Sequence, residues 1–275
     1  MESKRWKLVL FGSIGVAVDC LEWLLEQPQF EVIGVVCSRE PKSNWRMEVR
    51  DRDMQQEAER LSVPILDMND VLNLNADIGL SVRFHQILRQ EHLDRFRKGV
   101  INMHGAPLPE YRGSMGNIMA ILDGKDYFGV SLHLMDRGID SGDIITVERY
   151  PITKTDTVYD LFVRSNRIGL RLIQTWLHAV MEDKVVYEDQ AAACERLNYT
   201  SRTYGRKDAI KYKRIDAAMS PERIWDITRA FQFPGQEPAY LETPSGKVHL
   251  SIPKNEAEAK TATEAEYEYI GSKQR

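Results

Sequence analysis

The stretch from Leu8 to Cys37 limits the possible folds more than any other part of the chain. Leu8-Val9-Leu10-Phe11 is a short apolar run ending in Gly12-Ser13-Ile14-Gly15, the pattern of a buried strand turning into a helix. Val16, Ala17, Cys20, Leu21, Leu24 and Leu25 follow at helical spacing, with Asp19, Glu22 and Glu26 largely on the other face and Pro28 past the stop. Phe30 to Cys37, with Val32, Ile33, Val35 and Val36, is a second apolar run. Two continuously apolar strands around one amphipathic helix form a βαβ unit, and such a unit demands a parallel sheet covered by helices.

The pattern continues downstream. The spacing predicts a charged loop from Arg39 to Arg52, a helix near Met54 to Leu61, and short strands at Val63 to Leu66, Ile78 to Val82 and Gly99 to Met103. Met115 to Leu122 reads as a helix, and the alternation of Phe128, Val130, Leu132 and Leu134 as a half-buried strand. Val158 to Val180, with Leu161, Ile168, Leu172, Ile173 and Trp176, is the longest helical pattern. Beyond about Asn198 the texture turns to Tyr, Arg and Lys, followed by a helix from Pro221 to Phe231 and strand-like pieces at Val248 to Ile252 and Tyr267 to Ile270. The expected architecture is α/β: a Rossmann-like, mostly parallel sheet flanked by helices over residues 1–196, and a small C-terminal α+β or barrel-like domain over residues 197–275, with a polar tail from Pro253 to Lys260.

Composition narrows the setting. No stretch approaches the roughly 18 apolar residues of a membrane span, and Met1 to Lys7 runs straight into a strand with no apolar leader. The three cysteines, Cys20, Cys37 and Cys194, are far apart, with neither a disulfide framework nor metal-ligand spacing. These features point to a cytoplasmic protein without a metal. The formal net charge is −4 and the one basic cluster, Arg202 to Arg214, is short. That argues against a nucleic-acid partner, which needs a basic face to neutralise phosphates, and leaves room for an anionic small molecule.

Two segments carry candidate chemistry. Gly12 to Gly15 retains only GxxG of the dinucleotide fingerprint, so it reads as a tight strand-to-helix turn. In Val100-Ile101-Asn102-Met103-His104-Gly105-Ala106-Pro107, a strand places Asn102 and His104 two residues apart, hence on one face near its C-terminal end. Ligands of open α/β sheets bind outside that end. Downstream, Asp136-Arg137-Gly138-Ile139-Asp140-Ser141-Gly142-Asp143-Ile144 is a glycine-punctuated loop able to curl a carboxylate into a cleft. Taken singly, Asn102 could satisfy a turn, the aspartates could be solvated, and His133 and His85 read as structural.

Together, the Asn-x-His pair, the Leu108-Pro109-Glu110-Tyr111-Arg112-Gly113 that follows and the Asp140 loop resemble the folate-dependent formyltransferases. The resemblance runs from about Lys7 to Tyr240 and includes Ile224-x4-Arg229-Ala230, Pro234 and Pro238-Ala239; Gly105-Ala106 after His104 departs from the His-Pro of many members. It implies N10-formyltetrahydrofolate as formyl donor, no metal, and a catalytic Asn102, His104 and Asp140. It implies folate contacts from Ser81, Arg83, Phe84, Gln86 and Ile87 after the fourth strand, and from Asp136, Gly138 and Ile139 opposite.

Three acceptor amines compete. Methionyl-tRNA would call for a sizeable basic C-terminal barrel, and a glycinamide ribotide enzyme would leave everything after about Ala193 unexplained. A nucleotide-linked amino sugar, such as a 4-amino-4,6-dideoxyhexose, suits a reduced C-terminal module and an acidic chain. Tyr111, Arg112, Ser114 and Asn117 would then line the sugar side, with Trp45 and Arg46 stacking a base or clamping phosphate. A formyltetrahydrofolate hydrolase or folate-binding module is a further alternative. Edge-strand pairing through Val248 to Ile252 or Tyr267 to Ile270 would give a homodimer.

Overall fold

β1 (Trp6–Phe11), α1 (Gly15–Leu25) and β2 (Phe30–Val36) form the expected βαβ unit in the computed structural model, which describes residues 5–253. Next come α2 (Asn44–Glu48), α3 (Met54–Arg60), β3 (Ile65–Leu66), α4 (Met68–Leu72), β4 (Ile78–Val82), α5 (Gln90–Leu93) and β5 (Val100–His104). The chain then runs through β6 (Tyr111–Gly113), α6 (Gly116–Leu122), β7 (Tyr127–Leu134), β8 (Ile144–Pro151) and the long α7 (Val158–Met181). The last part holds α8 (Gln190–Leu197), β9 (Arg202–Tyr204), α9 (Arg206–Ile210), β10 (Arg214–Ile215), α10 (Pro221–Ala230), β11 (Ala239–Thr243) and β12 (Gly246–Leu250).

Seven strands make one sheet in the order β3-β2-β1-β4-β5-β7-β8. The first five are parallel, and β7 and β8 continue it antiparallel. The chain leaves β1 toward β2 and later returns on its other side as β4, so the order reverses beside β1. A crevice opens at such a point, outside the strands' carboxyl ends. The unbroken apolar run of β1 is explained by its two faces. Leu8 and Leu10 belong to the large core with α1 and α7, while Val9 and Phe11 pack in a second cluster with Val36, Val71 and Phe96.

The Gly12 turn is set by crowding. A Cβ there would clash with the Ala17 side chain and lie 2.8 Å from the Val82 carbonyl. At the helix start, the Gly15 N–H donates to Asp51 Oδ1 at 3.0 Å, so a carboxylate of the chain itself meets the N-terminal amides of α1. The GxxG is a structural turn.

Two expectations are corrected. The charged loop from Arg39 to Arg52 contains α2, and the buried Arg46 organises it by donating to Asp51, Asp53 and the carbonyls of Ser13 and Arg52. β7 is buried on both faces rather than half-buried, because the segment after β5 lies over its polar side. Ser131 Oγ donates to the Ala106 carbonyl and accepts from the Leu108 N–H, both at 2.8 Å.

Two small sheets follow, β10-β11-β12 and a parallel pair of β6 with β9. Arg223 donates to the Leu122 carbonyl at the end of α6, and the buried Arg229 to the carbonyls of Thr153 and Asp156. Ile215, Ile227, Phe231 and Ala239 belong to the same buried cluster as Leu10 and Val130. We propose the boundary near residue 196 as a change of architecture over a continuous core. The strand expected from Tyr267 to Ile270, and nearly all of the Pro253 to Lys260 tail, lie outside the described residues. Among the described residues no helix is long and apolar enough to cross a membrane.

Leu80, fully buried on the central β4, tests the core. Leu80→Ala is expected to lower the unfolding free energy by about 2–5 kcal/mol in denaturant titrations. Val186→Ala, at a side chain 92% exposed, should change it by less than about 0.5 kcal/mol.

Candidate active site

Four elements converge beyond the carboxyl end of β5. β5 supplies Asn102 and His104, β4 supplies Ser81, β7 supplies His133, and Asp140 comes from the loop between β7 and β8. The β5–β7 register places Asn102 directly opposite His133. Asn102 Oδ1 accepts from Ser81 Oγ at 2.8 Å, and its Nδ2 lies 3.1 Å from His133 Nε2 and 3.3 Å from Asp140 Oδ1. His133 Nδ1 is 2.8 Å from the Leu134 carbonyl. A carbonyl only accepts, so Nδ1 carries the proton and Nε2 accepts from Asn102.

His104 is fixed by the same logic. Its Nε2 lies 2.6 Å from the Tyr111 carbonyl, and its Nδ1 lies 3.5 Å from Asp140 Oδ2. Nε2 therefore bears the proton, and Nδ1 presents a lone pair toward a carboxylate. Asp140 Oδ2 also accepts from the Gly113 N–H at 2.9 Å. The short strand β6 thus holds His104 through one backbone carbonyl and Asp140 through one backbone N–H. Gly113 has φ of +79°, and a Cβ there would strike the Tyr204 carbonyl on β9.

Burial is the largest influence on both titrating groups. It holds His104 below its ordinary value; the Asp140 carboxylate opposes that and His133 reinforces it. Burial also pushes the Asp140 carboxyl upward, but His104, His133 and the Gly113 N–H outweigh it and hold the group at about 2. At neutral pH the pair is a neutral imidazole beside an ionised carboxylate, an arrangement able to take up a proton and stabilise the resulting imidazolium.

Asn102, His104 and Asp140 line a cavity of about 620 Å³. Of the other residues singled out from the sequence, Arg83, Phe84, Trp45, Ser114 and Asn117 also line it. Arg83, at φ of +54°, donates to Asn166 and lies over the Phe162 ring; burial draws its guanidinium down to about 10. Trp45 packs edge-on against Phe162 and Phe233.

The structure places the remaining residues outside this cavity. Ser81 is buried beneath Asn102, where it orients the amide. Tyr111 is a core residue, 2% exposed, stacked on Tyr204. Arg46 points inward to Asp51 and Asp53. Arg112 donates to Gln190 at 2.9 Å and does not face the cavity. Gln86 borders a separate depression with Cys37 and Asp67. Ile87 and Ile139 are exposed on outer loops, and Asp136 accepts from Gly138 and Ser141 within its own loop.

His133, read from the sequence as structural, supports Asn102 through a pairing visible only in strand register. Phe162, Arg206, Lys213 and Phe233, which the sequence did not single out, also line the cavity. The short basic cluster from Arg202 to Arg214 was the available signal for Arg206 and Lys213. Among the described residues no cluster of His, Cys, Asp or Glu is placed to hold a metal ion.

The family model described as formyl transferase matches residues 31–175, more than half of the chain. The chain belongs to the formyl transferase family. Methionyl-tRNA formyltransferase of Listeria welshimeri is 28% identical over 188 residues, covering 65% of this chain and 60% of that protein. The chain thus spans about 60% of that relative's length. The N-formyltransferase of Helicobacter canadensis, solved in complex with folinic acid and dTDP-3-aminofucose, is 25% identical with a TM-score of 0.70, covering 83% of this chain and 81% of that one. A 4-N formyltransferase from Francisella tularensis shares the formyl transferase fold at a TM-score of 0.73 and 18% identity, over 91% of this chain and 99% of that one.

The lowered Asp140 group links stability to pH. Its stabilising contribution is present above the unfolded value of 3.8 and is lost as pH falls toward about 2. Asn tolerates the left-handed backbone of this position. The gap in unfolding free energy between wild type and Asp140→Asn should therefore narrow by roughly 2 kcal/mol between about pH 5 and pH 2. A gap that stays constant over that range would contradict the assigned electrostatics.

Proposed function

We propose that this formyl transferase carries a formyl group from N10-formyltetrahydrofolate to the primary amine of a nucleotide-linked amino sugar. The observation that carries the reading is one cavity lined both by the His104–Asp140 pair and by the cations Arg206 and Lys213, the latter paired with Glu237. A proton-accepting floor suits attack by an amine, and cations suit the diphosphate of the acceptor. The volume of about 620 Å³ falls within the roughly 300–1,000 Å³ of small-molecule sites. The Helicobacter canadensis relative, bound to folinic acid and a dTDP-linked amino sugar, supports the same pairing of ligands.

The residues present suit both ligands. Phe84 and His85 offer ring surfaces in the cavity that His104 lines, and Ile87 and Ile139 are exposed apolar side chains near the Arg137–Gln90 hydrogen bond that ties the Asp140 loop to the start of α5. We place the folate against these. Bound there, it supplies the electrophilic formyl carbon. Trp45, Phe162 and Phe233 pack on one another as an apolar surface for the acceptor, and Arg206 lines the same cavity.

His104 takes the proton that the attacking amine sheds and returns it to N10 of the folate as the bond between N10 and the formyl carbon breaks, so tetrahydrofolate leaves as the neutral amine. Uptake at Nδ1 converts a lone pair facing Asp140 into a charge-assisted hydrogen bond. Asn102 Nδ2 gives up its long 3.3 Å bond to Asp140 and donates to the formyl oxygen as negative charge builds there. Ser81 and His133 hold the amide while it turns.

A second reading, methionyl-tRNA formyltransferase, is favoured by the identity to the Listeria welshimeri enzyme. Tetrahydrofolate release measured with GDP-, UDP- and dTDP-linked amino sugars beside methionyl-tRNA separates the two. Turnover with a sugar nucleotide alone is expected. Turnover with charged tRNA makes the second reading correct, and release without any amine makes the protein a hydrolase. His104→Ala is expected to slow turnover by about 100-fold or more while folate binding persists.

A further inference from the structure

Gln190 opens α8, is 2% exposed and does not border the cavity. Its side-chain amide is fully used. Nε2 donates to the Asp140 carbonyl at 2.9 Å and the Gly142 carbonyl at 2.7 Å, while Oε1 accepts from Arg112 Nε at 2.9 Å. Asp140 itself has φ of +49°, a left-handed conformation that Asp adopts more readily than most non-glycine residues and that the hydrogen bonds to its turn help to hold. The two carbonyls belong to that residue and to Gly142 two positions on, and with Gln190 gone both would lose their side-chain donor.

The approach of Gln190 to this turn is itself anchored. Glu188 exchanges both backbone hydrogen bonds with Ile144 at the start of β8, and Asp189 caps the helix by accepting from Ala191 and Ala192. On its other side Gln190 grips Arg112, the middle residue of β6. The flanking residues of that strand hold His104 through the Tyr111 carbonyl and Asp140 through the Gly113 N–H. One buried amide thus ties the Asp140 turn to the strand that orients both titrating groups.

We propose that Gln190 is a positioning residue for the transfer reaction, acting through Asp140. It lies beyond the matched residues 31–175 and contributes by fixing the carboxylate against His104. The inference rests on the reading of Asn102, His104 and Asp140 as the reacting constellation.

Gln190→Met keeps the length and neutrality of the side chain and removes both donors. The expected result is a kcat lowered roughly 10- to 100-fold, with KM for both substrates within about twofold of wild type. Ionised Asp140 raises the His104 value, so loosening it lets that value fall, and the acidic limb of the kcat/KM profile moves to lower pH. A purely structural role would reduce the active fraction and leave the limb in place. Gln190→Glu is the second variant. It preserves the shape and the acceptor for Arg112, and its carboxylate repels the two carbonyls, so it should show the same kcat loss even if the methionine variant folds poorly. Wild-type kcat in either folded variant, or a lowered kcat with an unmoved limb in Gln190→Met, overturns the proposal. His104→Ala, assayed alongside, separates the levels. If it retains turnover, the constellation itself is wrong; if it is dead while the Gln190 variants are normal, only the positioning role fails.

Discussion

Two backbone hydrogen bonds from a three-residue strand govern the geometry of the site. The Tyr111 carbonyl of β6 fixes the His104 tautomer, and the Gly113 N–H of the same strand holds the Asp140 carboxylate. Side-chain alternation leaves Tyr111 free to plug into the core, stacked on Tyr204, while its carbonyl faces the cavity floor. β6 is in turn paired along its length by β9, with Tyr111 opposite Arg202 and Gly113 opposite Tyr204. A segment outside the main sheet therefore sets the position of the groups on the sheet's carboxyl end. The clash that any Cβ at Gly113 would make with Tyr204 shows how close that pairing is.

The electrostatics follow from this placement. Burial alone favours the uncharged form of both His104 and Asp140. The Gly113 N–H and the two imidazoles reverse the outcome for Asp140 and leave it standing for His104. The result is a base and a counter-charge poised 3.5 Å apart, with Asn102 bridging between Ser81, His133 and Asp140. Ser81, His133 and Gln190 do not line the cavity, yet each hydrogen-bonds a residue that does or the turn that carries one.

Much of this was legible in the residues. The β1–α1–β2 unit could be read because β1 is apolar on both faces, which only a covered parallel sheet explains. Asn102, His104 and Asp140 were recognisable as a set and do meet. Trp45, Arg83 and Phe84 were expected at the cleft and line it. The misplaced residues share a cause. Tyr111, Arg112 and Arg46 sit in short elements, β6 and α2, where three to five residues carry no periodicity from which to read direction. Ser81 has the type and position of a ligand contact, and only the β4–β5 register, which sets it opposite Asn102, shows that it works beneath the floor. Arg206 and Lys213 reach the cavity through packing of the C-terminal segment, a tertiary fact with no local pattern beyond a modest run of cations.

The proposed transfer brings amine and formyl group together on the floor of this cavity. A crystal structure of the protein with 5-formyltetrahydrofolate and a dTDP-linked amino sugar tests it directly. The sugar amine is expected within about 3 Å of the His104 imidazole and the formyl oxygen within about 3 Å of Asn102 Nδ2, with the diphosphate against Arg206. A sugar amine lying away from His104, or a formyl group turned from Asn102, would contradict it.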